Sequence, residues 1–143
     1  MTLRRLAFRL SPGTDLRAGI DIACRKRAIG SASIVTCVGS LRAARLRFAG
    51  ADAITLVDGP LEIVSLVGTV APGGSHLHVS VADAAGRVTG GHLAYGSIVF
   101  TTAEVVVLDD ARVAFARAHD VRTGYRELEI RRHAPIRRRR ISR

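Results

Sequence analysis

At 143 residues and 48% hydrophobic composition, the chain is long enough for one domain with its own core and too short for two. Tryptophan is absent and aromatic residues make up only 4% of the chain, which excludes an aromatic core and leaves valine, isoleucine, leucine and alanine to build one. The formal net charge of +10 is concentrated in residues 131–143, RRHAPIRRRRISR, which hold seven arginines and no acid. We therefore predict a nearly balanced domain over residues 1–130, carrying +3, and an arginine-rich tail over 131–143.

The first predicted elements are a strand over residues 3–10 and the one convincing helix of the chain. Thr14 is a candidate N-cap, and Asp15 favours the positive end of the helix. At helical spacing, one face collects the apolar residues Leu16, Ile20, Ala23 and Cys24. Gly30 stands where a glycine commonly ends a helix. We predict a helix over about 14–29 that packs by one apolar stripe.

From residue 31 onward the chain consists of short segments rich in β-branched residues, separated by glycine, proline or aspartate. The connections are too short for repeated helical crossovers, so the sheet should be largely antiparallel. The predicted fold class is α+β: a large, strongly twisted, mainly antiparallel sheet packed with one main helix. The pattern is also compatible with a second short helix.

The uncharged stretch 63–82 has the length of a membrane span. Pro72 and the two glycines after it interrupt this stretch, and His76 and His78 would have to lie in hydrocarbon. We predict two strands and a turn here, and we expect no membrane partner.

Neither the start of the chain nor its cysteines indicate export. Arg9 interrupts the first apolar run before it reaches the length of a signal peptide. Cys24 and Cys37 lie among apolar residues, form no recognised motif, and are expected to be reduced and buried. We expect a cytoplasmic protein.

The segment HLHVSVADAAGRVTGGHL, residues 76–93, contains three of the five histidines. Side chains alternate along a strand, so two of these histidines share one face while the apolar residues between them face the core. Pairing Asp83 with Arg87 leaves a three-residue loop with Gly86 at the position that needs a left-handed backbone. Counting back from this turn predicts three opposed pairs: Ser80 with Gly90, His78 with His92, and His76 with Ala94.

This hairpin is a candidate metal site. Opposed Cβ atoms approach to roughly 5 Å, so imidazoles on one face are within reach of one ion. Three neutral imidazoles leave one coordination position open, as in catalytic-type zinc sites, and nickel and copper also bind imidazole. We predict a divalent metal, with zinc expected, at His76, His78 and His92, and a small-molecule ligand at the open position. The alternative is polar histidines on a solvated face or at a subunit contact, as we expect for the isolated His119 and His133.

Two glutamates, Glu62 and Glu104, interrupt otherwise apolar β segments, where a buried carboxylate needs a partner. Pairing with Arg45 or Arg47 is one explanation. The other makes Glu62 a hydrogen-bond partner of a metal ligand, or the base that takes a proton from metal-bound water.

The arginine-rich tail is a candidate arm for binding phosphate, because guanidinium groups suit phosphate oxygens. No aromatic residue is interleaved and nothing there would read base edges, so contact with DNA should be non-specific. The alternative is a solvated end with no partner. The candidate residues are Arg131, Arg132, Arg137, Arg138, Arg139, Arg140 and Arg143.

Several ordered segments resemble the plants-and-prokaryotes conserved domain, which follows the AT-hook in plant nuclear proteins and stands alone in prokaryotes. They are CVGSLRAARLRFA (37–49), GPLEIVSLVGTV (59–70), HLHVSVADAAGRVTGGHL (76–93), TTAEVVV (101–107) and TGYRELEI (123–130). The resemblance implies an α+β homotrimer with a metal, commonly zinc, at the positions of His76, His78 and His92. Members are commonly described as DNA-binding.

The chain departs from the plant members of that family at two places. The Arg-Gly-Arg-Pro core of the AT-hook is absent. Where plant members have Gly-Arg-Phe-Glu-Ile-Leu, residues 59–64 of this chain are Gly-Pro-Leu-Glu-Ile-Val. The partner-binding role of the plant domain is therefore not carried over.

Three classes of function are compatible with these features. The favoured one is a bacterial, trimeric, metal-binding protein of DNA-binding type, associated with the nucleoid through its tails. The second is a metal-dependent small-molecule binder or enzyme that uses the three histidines, and the third is a scaffold with a structural metal. The sequence holds no catalytic triad, phosphate loop or dinucleotide fingerprint, so we name no reaction and favour binding over catalysis.

Overall fold

The computed structural model describes residues 3–132. The part of the predicted tail that carries Arg137–Arg140 and Arg143 lies outside the described residues. Within them the chain forms one helix and eight strands: β1 Leu3–Leu10, α1 Leu16–Lys26, β2 Ala32–Arg47, β3 Ile54–Ala71, β4 Gly74–Ala82, β5 Val88–Leu93, β6 Ile98–Asp110, β7 Val113–His119 and β8 Arg126–Arg132.

Six strands form one sheet in the order β1-β6-β2-β3-β4-β5, and every pairing in it is antiparallel. The α+β class and the mainly antiparallel sheet predicted from the sequence are confirmed. Residues 3–132 contain no second helix. The helix α1 is too short and too polar to cross a membrane.

The sheet closes on itself because the end of β2 pairs with β5 as well as with β3. Two residue pairs, Leu46–Leu93 and Arg47–His92, form this seam, and β2, β3, β4 and β5 make a closed ring. Glycine is required at the seam: a Cβ atom at Gly91 would lie 2.9 Å from the backbone oxygen of Arg47. The ring places the histidine hairpin beside the end of β2.

The helix is shorter than predicted at both ends. Its N-cap is Asp15 and not Thr14, because an Asp15 side-chain oxygen accepts a hydrogen bond from the backbone of Ala18 at 2.8 Å. It ends at Lys26, before Gly30, because the left-handed residue that turns the chain is Ala28, with φ 52°. The predicted stripe of Leu16, Ile20, Ala23 and Cys24 is buried.

The core lies between α1 and the inner face of the curled sheet. Its buried hydrophobic residues in the described range are leucine, isoleucine, valine, alanine and cysteine, as the composition predicts. Cys24 and Cys37 are free and buried in this core, and burial raises the pKa of each thiol to about 11.

A separate hairpin of β7 and β8 pairs Val113 with Arg132 and His119 with Arg126. Strand β8 therefore runs two residues past the predicted start of the tail. The hairpin is tied to the main sheet by Arg117, whose Nη2 atom donates to the Thr69 hydroxyl at 2.7 Å.

Candidate metal centre

The β4–β5 turn has the predicted geometry. The backbone N–H of Asp83 donates to the carbonyl of Arg87 at 3.0 Å. Gly86 has φ 76°, the left-handed conformation that the three-residue loop requires. The Asp83 carboxylate also accepts hydrogen bonds from the backbones of Ala85 and Arg87. The turn therefore fixes the register of the hairpin.

Two of the three predicted pairs follow from this register. His78 lies opposite His92 and Ser80 lies opposite Gly90. The third pair, His76 with Ala94, is wrong. The β4–β5 ladder ends at His78–His92, because the backbone of Ala94 donates to the carbonyl of Arg45 in β2 at 2.9 Å.

The three imidazoles nevertheless converge on one face. Ring centroids are 5.0 Å apart for His76 and His78, 5.1 Å for His76 and His92, and 5.6 Å for His78 and His92. One nitrogen of each ring lies within 4.8 Å of the others. Zinc binds imidazole nitrogen at roughly 2.0–2.1 Å, so small side-chain adjustments would bring all three nitrogens onto one ion.

The surroundings of His76 and His92 lower the pKa of both side chains and so favour their neutral forms. Burial lowers the pKa of His76, helped by the nearby His78 and Arg117. Burial and the charge of Arg17 lower the pKa of His92 to about 4. Neutral imidazole is the form that binds a metal ion, and the arrangement thus favours ligation at neutral pH.

Arg17 of α1 is part of this site, although its place on the charged face of the helix does not predict that role. Its Nη1 atom donates to the carbonyl of Leu93 at 2.9 Å, and its Nη2 atom donates to the carbonyl of Ser75 at 2.8 Å. Nη1 lies 3.4 Å from Nε2 of His92, and the guanidinium stacks over the Tyr95 ring at 4.6 Å. Arg17 thereby holds α1 against both strands of the hairpin.

A cavity of about 410 Å³ opens beside the histidines, between α1, the hairpin and the β7–β8 hairpin. Glu127 is the only carboxylate among the described residues that line it. The cationic and aromatic residues that line it are Arg17, Arg47, Arg117, Arg126, Tyr95 and Tyr125.

The structure does not bring Glu62 to the histidines. Glu62 is exposed on β3 and lies between Ser40 of β2 and Ala82 of β4. Val67, which pairs with His78, lies roughly 16 Å further along β3 at the rise of a strand. Glu104 is also exposed. Among residues 3–132 no ion pair joins either glutamate to an arginine, because at exposed positions neither needs one.

Of the predicted tail residues, the structure describes two. Arg131 and Arg132 are exposed at the end of β8, and Arg131 forms an ion pair with Glu129 at 3.0 Å. His119, at the end of β7, does not belong to the histidine cluster.

Comparison with known proteins identifies relatives that share nearly the whole chain. The family model of the Plants and Prokaryotes Conserved domain matches residues 1–109. A bifunctional protein GlmU from Synechococcus sp. (strain JA-3-3Ab) is 42% identical over 129 residues, or 90% of this chain and 21% of that protein. The chain therefore spans about a fifth of the length of the curated relatives it matches.

Solved structures share the fold. A hypothetical protein from Salmonella enterica is 36% identical, with a TM-score of 0.89 over 93% of this chain and 96% of that chain. A metal-containing protein from Archaeoglobus fulgidus is 29% identical, with a TM-score of 0.75 over 87% of this chain and 91% of that chain. Proteins of Bacteroides thetaiotaomicron and Ralstonia eutropha, for which DNA binding is proposed, are 20% identical and show the fold alone.

Proposed function

The chain belongs to the Plants and Prokaryotes Conserved domain family, and on that premise we propose that it is a metal-binding domain. His76, His78 and His92 hold one divalent ion, for which zinc is the expected metal. The observation that carries the proposal is the convergence of three imidazole nitrogens within 4.8 Å of one another, on a hairpin whose register is fixed by the turn at Gly86.

The donor set fits a transition metal on its own chemistry. Neutral imidazoles suit zinc, nickel and copper better than the hard ions that prefer oxygen. In addition, the Nδ1 atom of His92 is buried without a hydrogen-bond partner among the described residues. Such a nitrogen is costly unless something accepts its lone pair or its proton, and a metal ion beside the cluster would remove that cost.

An ion held by three histidines retains an open coordination position, whereas structural zinc sites usually have four protein ligands. This difference supports a ligand-binding role over a purely structural one. Glu127 is the only carboxylate among the described residues of the adjoining cavity. No pair of groups there matches an acid and a base around a reacting bond, so we propose binding and not a named reaction.

The test is the metal content of the full chain, purified without a metal-affinity tag and measured by inductively coupled plasma mass spectrometry. We expect about one zinc ion per chain after incubation with zinc and gel filtration. His78→Ala should lose it, because two imidazoles bind zinc far more weakly than three.

His119→Ala is the matched control, because it removes an exposed histidine from outside the cluster, and it should keep the ion. A wild-type chain that retains no metal, or two variants that retain equal amounts, would contradict the proposal.

DNA association is a second candidate function. It is favoured by the seven arginines of residues 131–143, of which Arg131 and Arg132 are exposed at the end of β8. We propose that a cytoplasmic homotrimer presents three such tails to phosphate groups without reading sequence. The metal site and the tail occupy different parts of the chain, so the two functions are compatible.

A further inference from the structure

The cavity beside the histidines is strongly cationic. Among the described residues, four guanidinium groups and one carboxylate, that of Glu127, line it. Its volume of about 410 Å³ lies in the range of small-molecule sites, roughly 300–1,000 Å³. The walls come from α1, β2, β4, β5 and the β7–β8 hairpin, which are distant in sequence and meet only in the folded chain.

None of the arginines of this cavity forms an ion pair with a carboxylate among the described residues, whereas five arginines outside it do. Five ion pairs are present within residues 3–132, and each uses an arginine outside the cavity: Arg4, Arg87, Arg112, Arg122 and Arg131. None of the four cavity arginines is within 4.0 Å of an acidic oxygen in that range.

Neutral groups hold the cavity arginines in place. Arg17 donates to two backbone carbonyls, and its Nε atom is buried without a partner among the described residues. Arg117 donates to the Thr69 hydroxyl, and Arg126 donates to the backbone carbonyl of Arg117. These hydrogen bonds orient the guanidinium groups without neutralising them, and the one carboxylate among the described lining residues, that of Glu127, leaves an excess of positive charge in the cavity.

An excess of positive charge in a partly buried site is unfavourable, and a bound anion would relieve it. We propose that this cavity binds a small organic anion through its carboxylate or phosphate group, which lies between the guanidinium groups and the two histidines that line the cavity, His76 and His92. This proposal rests on the proposed metal site only where the anion would occupy the open coordination position. The arginines would attract the anion whether or not the metal ion is bound.

The choice of ligand class follows from the geometry of the donors. A guanidinium group presents parallel N–H donors that match two oxygens of a carboxylate or a phosphate. Arg17 lies against the Tyr95 ring at 4.6 Å and Arg47 against the Tyr125 ring at 5.8 Å, which restricts both side chains and leaves them ready to bind. A neutral molecule would accept hydrogen bonds here without neutralising the charge, and a cation would be repelled.

Isothermal titration calorimetry on the full chain tests the proposal with three probes that differ mainly in charge. Glycerol 3-phosphate represents the phosphate arm, lactate represents the carboxylate arm, and glycerol is the neutral control. We expect one of the two anions to bind at one site per chain and glycerol not to bind. Arg117→Gln should weaken that binding by roughly tenfold or more, as for the loss of a charge-assisted hydrogen bond.

Arg112→Gln is the matched control, because Arg112 is an exposed arginine whose partner is Asp110, and it should change the affinity less than about twofold. Circular dichroism checks that each variant folds. Arg47→Gln provides a second cavity variant, expected to weaken binding in the same direction.

Metal content, measured on the same samples, separates this proposal from the previous one. Binding of an anion by a chain that takes up no zinc would support the anion site and contradict the metal site. Zinc uptake without binding of either anion at millimolar concentration would overturn the anion site. Equal weakening by Arg117→Gln and Arg112→Gln would also overturn it, since only general charge attraction would then remain.

Discussion

Ala28 is the only residue other than glycine with a positive φ in the described range, at 52°. It follows the C-cap of α1, where its backbone donates to the carbonyl of Arg25 at 3.1 Å and the next backbone N–H donates to Cys24 at 3.0 Å. This pair of hydrogen bonds is the Schellman motif. The motif turns the chain so that Ile29 is buried, and the left-handed alanine is strained by roughly 1–2 kcal/mol.

We expect Ala28→Gly to raise the free energy of unfolding by about 1 kcal/mol, because glycine adopts the left-handed conformation without strain but adds entropy to the unfolded chain. Urea denaturation followed by circular dichroism measures the change. Ala18→Gly, inside α1, should instead lower the free energy of unfolding by roughly 0.5–1 kcal/mol. Destabilisation by both substitutions would show that residue 28 is not left-handed.

At the scale of elements, the histidine hairpin was the most predictable part of the molecule. Its register depends on local chemistry alone: Asp83, Gly86 and Arg87 define the turn, and alternation along the strands places His78 opposite His92. The prediction for His76 was wrong in its partner, because β5 leaves β4 to join β2. That departure depends on contacts between distant segments, which no local pattern encodes.

The surroundings of the site were not predictable for the same reason. Arg17 reaches Leu93 across 76 residues of sequence, and Glu127 arrives on a separate hairpin. Glu62 was selected from the sequence because apolar residues flank it. However, the flanking Val64 belongs to an exposed apolar face and not to the core, so the glutamate needs no buried partner.

That apolar face covers neighbouring parts of β2 and β3. Four valines on it are more than half exposed: Val35, Val38, Val64 and Val67, with exposed fractions of 57%, 56%, 57% and 57%. The two strand segments are adjacent, because Ser33 pairs with Thr69 and Ser40 pairs with Glu62 at their ends. Contiguous apolar surface of this kind commonly marks a subunit contact, and we propose it as the contact of the homotrimer proposed above.

We expect the purified chain to have three times its monomer mass by size-exclusion chromatography with multi-angle light scattering. Val64→Lys should reduce that mass, because a charge would have to be desolvated in the contact. Val121→Lys is the control: Val121 is 87% exposed, outside this face, and its substitution should leave the mass unchanged. A wild-type monomer would contradict the proposed assembly.

The charge of the whole molecule is divided between two regions. Residues 1–130 carry +3 and residues 131–143 carry the remaining +7. Four ion pairs within residues 3–130 neutralise arginines locally, and a fifth joins Arg131, at the start of the tail, to Glu129. Attraction to a polyanion should therefore depend mainly on the end of the chain, and in a trimer three such ends would act together.

Fluorescence anisotropy with two DNA duplexes of unrelated sequence tests whether DNA binding depends on the arginine-rich tail. We expect similar affinities for both and a steep decrease with salt, with a logarithmic slope of about 0.9 per phosphate contact. Removing residues 133–143, which hold five of the seven tail arginines, should flatten that slope. Salt-insensitive binding, or binding unchanged by the truncation, would contradict a role for the tail.

The seam between β2 and β5 has a mechanical consequence. It is only two residue pairs long, and one of its four members is His92, which is also a member of the histidine cluster. A metal ion bound by His92 and the two histidines of β4 would hold β5 in place beside this short seam. Occupancy of the site and closure of the ring of β2, β3, β4 and β5 would then be thermodynamically coupled, so that binding the ion stabilises the closed ring.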